Sequence, residues 1–318
     1  MKTSMIELKG KIGKYRIVKK LGSGGFGTVY LAEDTILKTQ RAVKVPHRLG
    51  SHFDKNLQEC ILQTKLLDHP NIVKLLTVDI IEGNIFMVME YIKGTDLETI
   101  LDEKDKLDIK TALRYFGQVL SALEFAHHHM VIHRDIRPSN ILINEEDNVK
   151  ITDFGTSTLL NDRQYATTKI GSPPYMAPEQ FEGRAVLASD IYSAGCLFYE
   201  MVSGLPPIVM ANPMEIYKKA KSSDFVPLIK KVPTLSAELN DIITKTLEPD
   251  IKNRYQRVEE IIKDLNEMGK GKKDHSVELK EIQKRIEARS QRTDYICWNC
   301  RKSMPKKMAK CLYCGVEQ

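Results

Sequence analysis

Five short strings in this chain carry side chains able to hold and move phosphate. They are Gly22-Ser23-Gly24-Gly25-Phe26-Gly27, Ala42-Val43-Lys44, His133-Arg134-Asp135-Ile136-Arg137-Pro138-Ser139-Asn140, Asp153-Phe154-Gly155 and Ala177-Pro178-Glu179. A glycine-rich turn lets the backbone approach phosphate closely, because side chains at Gly22, Gly24 or Gly27 would stand in the way. A lysine on a strand adds a point charge. Carboxylates and an amide on loops suit a hard divalent cation and a hydroxyl proton. Together these strings describe the chemistry of gripping a nucleoside triphosphate and passing its last phosphoryl group to an alcohol. One string would be weak evidence, whereas five in this order are not accidental.

The elements that must position these groups are readable from periodicity. Short β-rich runs at Tyr15 to Leu21, Thr28 to Ala32, Arg41 to Val45, Val73 to Ile80 and Ile85 to Glu90 surround one helical stretch, Asp54 to Leu67. After Tyr91 the period becomes helical, with segments from Leu97 to Leu101, Ile109 to His129, Ser189 to Val202, Met214 to Ser222, Ser236 to Leu247 and Val258 to Met268. Between His129 and Glu179 the chain is loop-rich, with short strands at Ile141 to Ile143 and Val149 to Ile151. The expected architecture is α+β and bilobal: a small antiparallel sheet lobe with one helix (15–90), then a larger helical lobe (91–268). Gly-x-Gly-x-x-Gly alone also fits a dinucleotide fingerprint. That fingerprint requires a helix to follow, and Thr28-Val29-Tyr30-Leu31-Ala32 continues as a strand.

On these motifs Tyr15 to about Met268 resembles the eukaryotic-type (Hanks-type) Ser/Thr protein kinases. The resemblance implies ATP, with Mg²⁺ or Mn²⁺, as cofactors and protein Ser/Thr hydroxyls as acceptors. By resemblance, Leu21 to Gly27 cover the phosphates, with Phe26 at the tip, and Lys44 reaches the α- and β-phosphates with Glu59 as its anionic partner. Ala42, Val29 and Leu142 sandwich the base, Met89 is gatekeeper, backbone groups of Glu90 and Ile92 read the adenine edge, and Asp96 lies within reach of the ribose. Asp135 takes or orients the substrate's hydroxyl proton, while Asn140 and Asp153 hold the metal. Ser172 contacts Asp135, Glu179 pairs with Arg254, and Asp190 holds the catalytic loop. Phosphorylation at Thr168, or Thr167, would order the following loop against Arg134. The spacing around Glu59 departs from the family pattern.

Arg137 is the other departure, standing where these kinases usually carry a lysine. A guanidinium keeps the charge near the γ-phosphate but is planar and bulkier. A nucleotide-binding pseudokinase scaffold acting through its tail is the alternative reading. A small-molecule phosphotransferase is disfavoured by the docking stretch Gly171 to Glu179. His127, His128 and His129 point in different directions on a helix and make a poor metal chelate.

The net charge of +6 sits unevenly: residues from Gly269 onward carry +7 and the remainder −1. Four of the six cysteines lie in the last 22 residues, as Cys297-x2-Cys300 and Cys311-x2-Cys314. Two such pairs separated by ten residues fit tetrahedral Zn²⁺ and resemble a zinc ribbon (295–318), with a redox dithiol as the alternative. A charged linker (269–294) with Leu279, Ile282 and Ile286 at helical spacing joins it to the catalytic region. Protein docking or a structural cap is favoured over nucleic acid for this tail. No apolar stretch is long enough to cross a bilayer, and Met1 to Leu21 lacks the apolar centre of a secretory signal, so the expected location is cytoplasmic.

Overall fold

The alternating apolar residues of the first third fold into a six-stranded sheet whose register sets the geometry around Lys44. In the computed structural model the described residues are 10–24, 27–46, 69–81, 84–154, 158–159, 171–268, 295–296, 303–304, 309–310 and 314–317. Strands β1 (Lys11–Ile12), β2 (Tyr15–Gly24), β3 (Gly27–Asp34), β4 (Thr39–Pro46), β5 (Leu75–Ile81) and β6 (Asn84–Glu90) are ordered β1-β2-β3-β4-β6-β5. All neighbours in this sheet are antiparallel, and two register shifts interrupt the β2–β3 ladder before the glycine turn. Residues opposite one another across a ladder share a face. Thus Val29 opposite Lys44, and Ala42 opposite Met89, place the lysine and the apolar residues next to one another. The stretch Asp54 to Leu67 lies outside the described residues.

A second, three-stranded sheet follows, made of β7 (Gly94–Asp96), β9 (Ile141–Asn144) and β10 (Val149–Ile151), in the order β10-β9-β7. It sets Asp96 opposite Leu142 and Thr95 opposite Ile143. Gly94 is obligatory here: at φ +158°, an added Cβ would stand 1.9 Å from the Ile143 carbonyl oxygen. The segment Asn71–Val73 ties this sheet to the first region. Ile151 N–H donates to Asn71 O at 2.8 Å and Val73 N–H donates to Ile151 O at 2.9 Å. Asn71 Nδ2 reaches Gln118 and the Val149 carbonyl, both at 2.8 Å.

Helices then build the larger core. Helix α1 (Leu97–Lys104) starts at an Asp96 cap, and α2 (Ile109–His128) starts at Asp108, each side chain accepting from the N–H three residues on. β8 (Val131–Ile132) pairs with β11 (Thr158–Leu159). Past a short α3 (Pro178–Phe181) comes α4 (Leu187–Ser203), buried along nearly its whole length and stopped by Gly204 at φ 86°. Phe116 of α2 and Phe198 of α4 meet with ring centroids 5.0 Å apart. Helices α5 (Pro213–Lys221), α6 (Leu228–Lys231), α7 (Ala237–Thr246) and α8 (Val258–Met268) complete the helical series. Gly195 of α4 permits close approach to α7, since a Cβ there would lie 2.1 Å from Thr246 Oγ1.

The chain divides into two compact units, Met1–Asp264 and Leu265–Gln318. Within the second, β12 (Tyr295–Ile296) pairs antiparallel with β13 (Ser303–Met304), and Lys310 bridges to Glu317. Among the described residues no helix is long and apolar enough to cross a membrane.

Candidate active site

The catalytic segment is held from below by one buried carboxylate. Asp190, fully buried on α4, accepts the backbone N–H of Arg134 at 2.8 Å and of His133 at 2.9 Å. It also meets His127 Nε2 at 2.9 Å, which assigns that nitrogen as the donor because an ionised carboxylate only accepts. These bonds stabilise an uncommon backbone. Arg134 has φ 70° and Asp153 has φ 62°, a region that costs free energy for residues bearing a Cβ. Gln180 adds a bond to the Arg134 carbonyl at 3.1 Å. His133, fully buried, accepts the Asp135 N–H on Nδ1 at 3.2 Å, so its Nε2 donates to the Thr152 carbonyl at 3.0 Å. Its ring stands edge-on to Phe154 at 4.5 Å. One imidazole therefore links the strings around Asp135 and Asp153.

The Asp135 carboxylate is oriented from both sides. Ser172 Oγ–H donates to Oδ1 at 2.8 Å, and Asn140 Nδ2 donates to Oδ2 at 3.1 Å and to the Asp135 carbonyl at 2.7 Å. With its amide nitrogen so engaged, Asn140 leaves Oδ1 without a donor among the described residues. Arg137 reaches in opposite directions, from Nη1 to Ser172 Oγ at 3.1 Å and from Nη2 to Glu98 Oε1 at 2.9 Å. Glu98 was not signalled by the motifs. It is an ordinary first-turn glutamate of a helix until the fold brings it to a residue 39 positions away.

From the sheet, Lys44 is 5% exposed and its Nζ meets Asp153 Oδ1 at 2.6 Å. The expected partner Glu59 lies outside the described residues, as do Gly25, Phe26, Gly155, Thr167 and Thr168. In the glycine turn, Ser23 and Thr28 hydroxyls meet at 2.9 Å, Leu21 is exposed, and a Cβ at Gly22 would meet nothing within 4 Å. Open space there is what a backbone cradle for phosphate requires. Ala42 and Met89 are buried in one apolar cluster with Val73, Leu75 and Met87, and Val29, Ile92 and Leu142 pack against it partly exposed. The three side chains expected to sandwich the base, Ala42, Val29 and Leu142, therefore meet in one place with the expected gatekeeper Met89. Glu90 donates its N–H to Lys74 O at 3.0 Å, and its carboxylate pairs with Lys150 at 2.7 Å. Asp96 is occupied as the α1 cap, accepting Thr99 N–H at 2.8 Å.

Beneath the docking stretch, Glu179 and Arg254 form a buried two-bond pair at 2.7 and 3.1 Å. The three neighbouring histidines diverge as their helical spacing demands: His127 goes to Asp190, His128 to Glu259, and His129 to the Phe125 carbonyl. In the tail, only Cys314 of the four spaced cysteines is described, and it is exposed.

The donor set fits a magnesium nucleotide. Asp153 and the open Asn140 Oδ1 are hard oxygen donors, and Lys44 supplies the phosphate-directed charge beside them. Residues 15–265 match the protein kinase domain model. The chain is 34% identical over 273 residues to the probable serine/threonine-protein kinase PknB of Lactococcus lactis, covering 82% of this chain and 43% of that protein. It is 32% identical over 259 residues to the serine/threonine-protein kinase PrkC of Bacillus subtilis, covering 80% and 40%. A probable serine/threonine-protein kinase of Clostridium perfringens is 36% identical over 282 residues, covering 85% and 40%. The chain thus spans about two fifths of the length of these relatives. With the domain match extending over most of its length, the chain belongs to the protein kinase family, of the serine/threonine type.

Proposed function

We propose that this chain transfers the γ-phosphoryl group of ATP to serine or threonine hydroxyls of proteins. The observation that supports this most is the pairing of two halves of one reaction. Lys44 from the sheet meets Asp153, and Asp135 already receives an alcohol, the Ser172 hydroxyl, at 2.8 Å. In the proposed reaction Asp135 orients the acceptor oxygen and takes up its proton late, while Lys44 positions the nonbridging oxygens. Most of the acceleration comes from alignment and charge cancellation rather than from the base. Asn140 and Asp153 would hold Mg²⁺, which when bound supplies electrostatic stabilisation of the transferred group.

The expected test is transfer of labelled phosphate from ATP to a basic protein by the full chain. Replacing Asp153→Ala should lower the rate about a thousandfold, roughly 4 kcal/mol of barrier. Transfer by the wild type no faster than by this variant would favour the scaffold reading instead. Control by phosphorylation at Thr168 or Thr167 belongs to the same proposal. Arg134, 5% exposed, is a buried cation whose pKa burial depresses, and a phosphate dianion nearby would offset that penalty. The Asp135→Asn protein made in a host without related kinases should then carry no phosphate at either threonine by mass spectrometry.

For the tail we propose a structural Zn²⁺ held by Cys297, Cys300, Cys311 and Cys314. The β12–β13 pairing flanks the first cysteine pair and the Lys310–Glu317 bridge flanks the second, as two ligand-bearing turns would need. Gly315, at φ 70°, turns the chain directly after Cys314.

A further inference from the structure

Arg137 stands where this chain's motif departs from the lysine of the family it resembles, and the structure surrounds that departure with a matched partner. Its guanidinium bonds Ser172 Oγ through Nη1 at 3.1 Å and Glu98 Oε1 through Nη2 at 2.9 Å. Nε is buried with no hydrogen-bond partner among the described residues. The orientation of the fork therefore depends on those two contacts. A lysine ammonium would meet such partners as a flexible point charge, whereas the planar guanidinium presents fixed donors in two directions from one group.

The placement of Glu98 follows from backbone register. The β7–β9 ladder sets Asp96 opposite Leu142, just beyond the Pro138–Asn140 turn that follows Arg137. Asp96 then caps α1, so Glu98 falls in its first turn, where the helix dipole favours a carboxylate. The resulting chain of contacts runs from Glu98 to Arg137, to the Ser172 hydroxyl, to Asp135 Oδ1. With Arg137 donating into the Ser172 oxygen, the serine's own hydrogen is directed at Asp135.

We propose that Glu98 is a positioning residue for phosphoryl transfer: it aims the Arg137 guanidinium, which keeps Ser172 on Asp135 and holds that carboxylate in one orientation. The inference rests on the proposed kinase activity. It assigns to Glu98 no contact with nucleotide. The pair contributes little to stability, because its side chains are 31% and 46% exposed and surface ion pairs are weak.

The test is a double-mutant cycle on the full chain with Glu98→Gln, Arg137→Lys and both together. Single-turnover transfer rate, KM for ATP and melting temperature are measured for each. Glu98→Gln should slow transfer about tenfold in the Arg137 protein, with KM for ATP changed less than about twofold. In the Arg137→Lys background the same replacement should cost less than about twofold, because the fork it aims is gone. Melting temperatures should stay together. Equal losses in both backgrounds, or an unchanged rate in Glu98→Gln beside an active wild type, would overturn the inference. A wild type no faster than Asp153→Ala would bring down the kinase reading, and this inference with it.

Discussion

The helical region under the catalytic loop and the sheet region above the nucleotide side solve opposite problems with opposite materials. Under the loop, Asp190, Arg134, Glu179 and Arg254 are all 5% exposed or less, and the backbone is fixed by directional bonds to carboxylates. On the sheet side, Ala42, Val73, Leu75, Met87 and Met89 form an apolar cluster beside the buried cation Lys44. Directional bonds define orientation to a few tenths of an ångström, which a proton-accepting carboxylate needs. Apolar packing defines shape but tolerates sliding, which suits a flat base sandwiched between side chains. The polar region is thus the place where small changes should alter chemistry, and the apolar region the place where they should alter affinity.

The largest effect expected is at Asp190. Asp190→Ala would leave the His133 and Arg134 N–H groups and His127 Nε2 without their acceptor, in a fully buried site. The loss should be about 4 kcal/mol of unfolding free energy. Transfer by the folded fraction should also fall, since Arg134 at φ 70° would lose the bonds that hold it there. Asp190→Asn should lie between, its amide oxygen keeping an acceptor for one part of the set. Chemical denaturation alongside an activity assay checks both. An Asp190→Ala protein with wild-type stability would break the contrast drawn above.

Next in size is the counterpart in the sheet. Met89 is 6% exposed and central to the apolar cluster, so Met89→Ala should cost about 3 kcal/mol by cavity formation. Here the transfer rate at saturating ATP should hold within about threefold while KM for ATP rises, because the lost contacts support the base rather than the reacting atoms. If Met89→Ala slowed the chemical step as much as Asp190→Ala does, the two regions would not differ in the way proposed.

How much of this was legible in the sequence divides along the same line. The strands β2 to β6 and the helices α2, α4, α5, α7 and α8 follow from hydrophobic period, with their ends moved by a few residues. Strands β1, β8 and β11 have only two residues each, too short for any period to show. β7 owes its existence to pairing with β9 and to Gly94 rather than to its own composition. Val29, Ala42 and Met89 are brought together because they lie on the neighbouring strands β3, β4 and β6, whereas Leu142 comes from β9 of the second sheet and only tertiary packing adds it. The Glu179–Arg254 and Asp190 contacts were anticipated only through family resemblance, since nothing local marks a buried acid as a brace. Glu98 and Glu200 escaped notice altogether. Each looks like a surface glutamate in its own helix, and only tertiary register makes Glu98 an anchor and leaves Glu200 half-buried.

Glu200 sharpens the comparison because it is the weakly supported member of the polar region. It lies on α4, as Asp190 does, yet among the described residues its carboxylate accepts one hydrogen bond, from Tyr175 Oη–H to Oε2 at 2.7 Å. Burial, opposed by that hydrogen bond and reinforced by the negative charge of Glu98, pushes its pKa up from 4.5 to about 7. A carboxyl that ionises at 4.5 when unfolded but near 7 when folded binds more protons in the native state across that interval. Its contribution to stability is therefore complete below pH 4.5 and is lost progressively as pH rises through about 7. The shift corresponds to about 3 kcal/mol, and partial exposure reduces this to roughly 2 kcal/mol. Glu200→Gln, which keeps the shape and an acceptor for Tyr175 but cannot ionise, should remove that slope. Unfolding free energies measured from pH 4.5 to 8 should show the variant gaining on the wild type by about 2 kcal/mol toward the alkaline end. A constant difference between the two proteins over the whole range would mean that Glu200 is as well solvated in the folded protein as in the unfolded chain. The polar region would then lack the soft spot that distinguishes this carboxyl from Asp190.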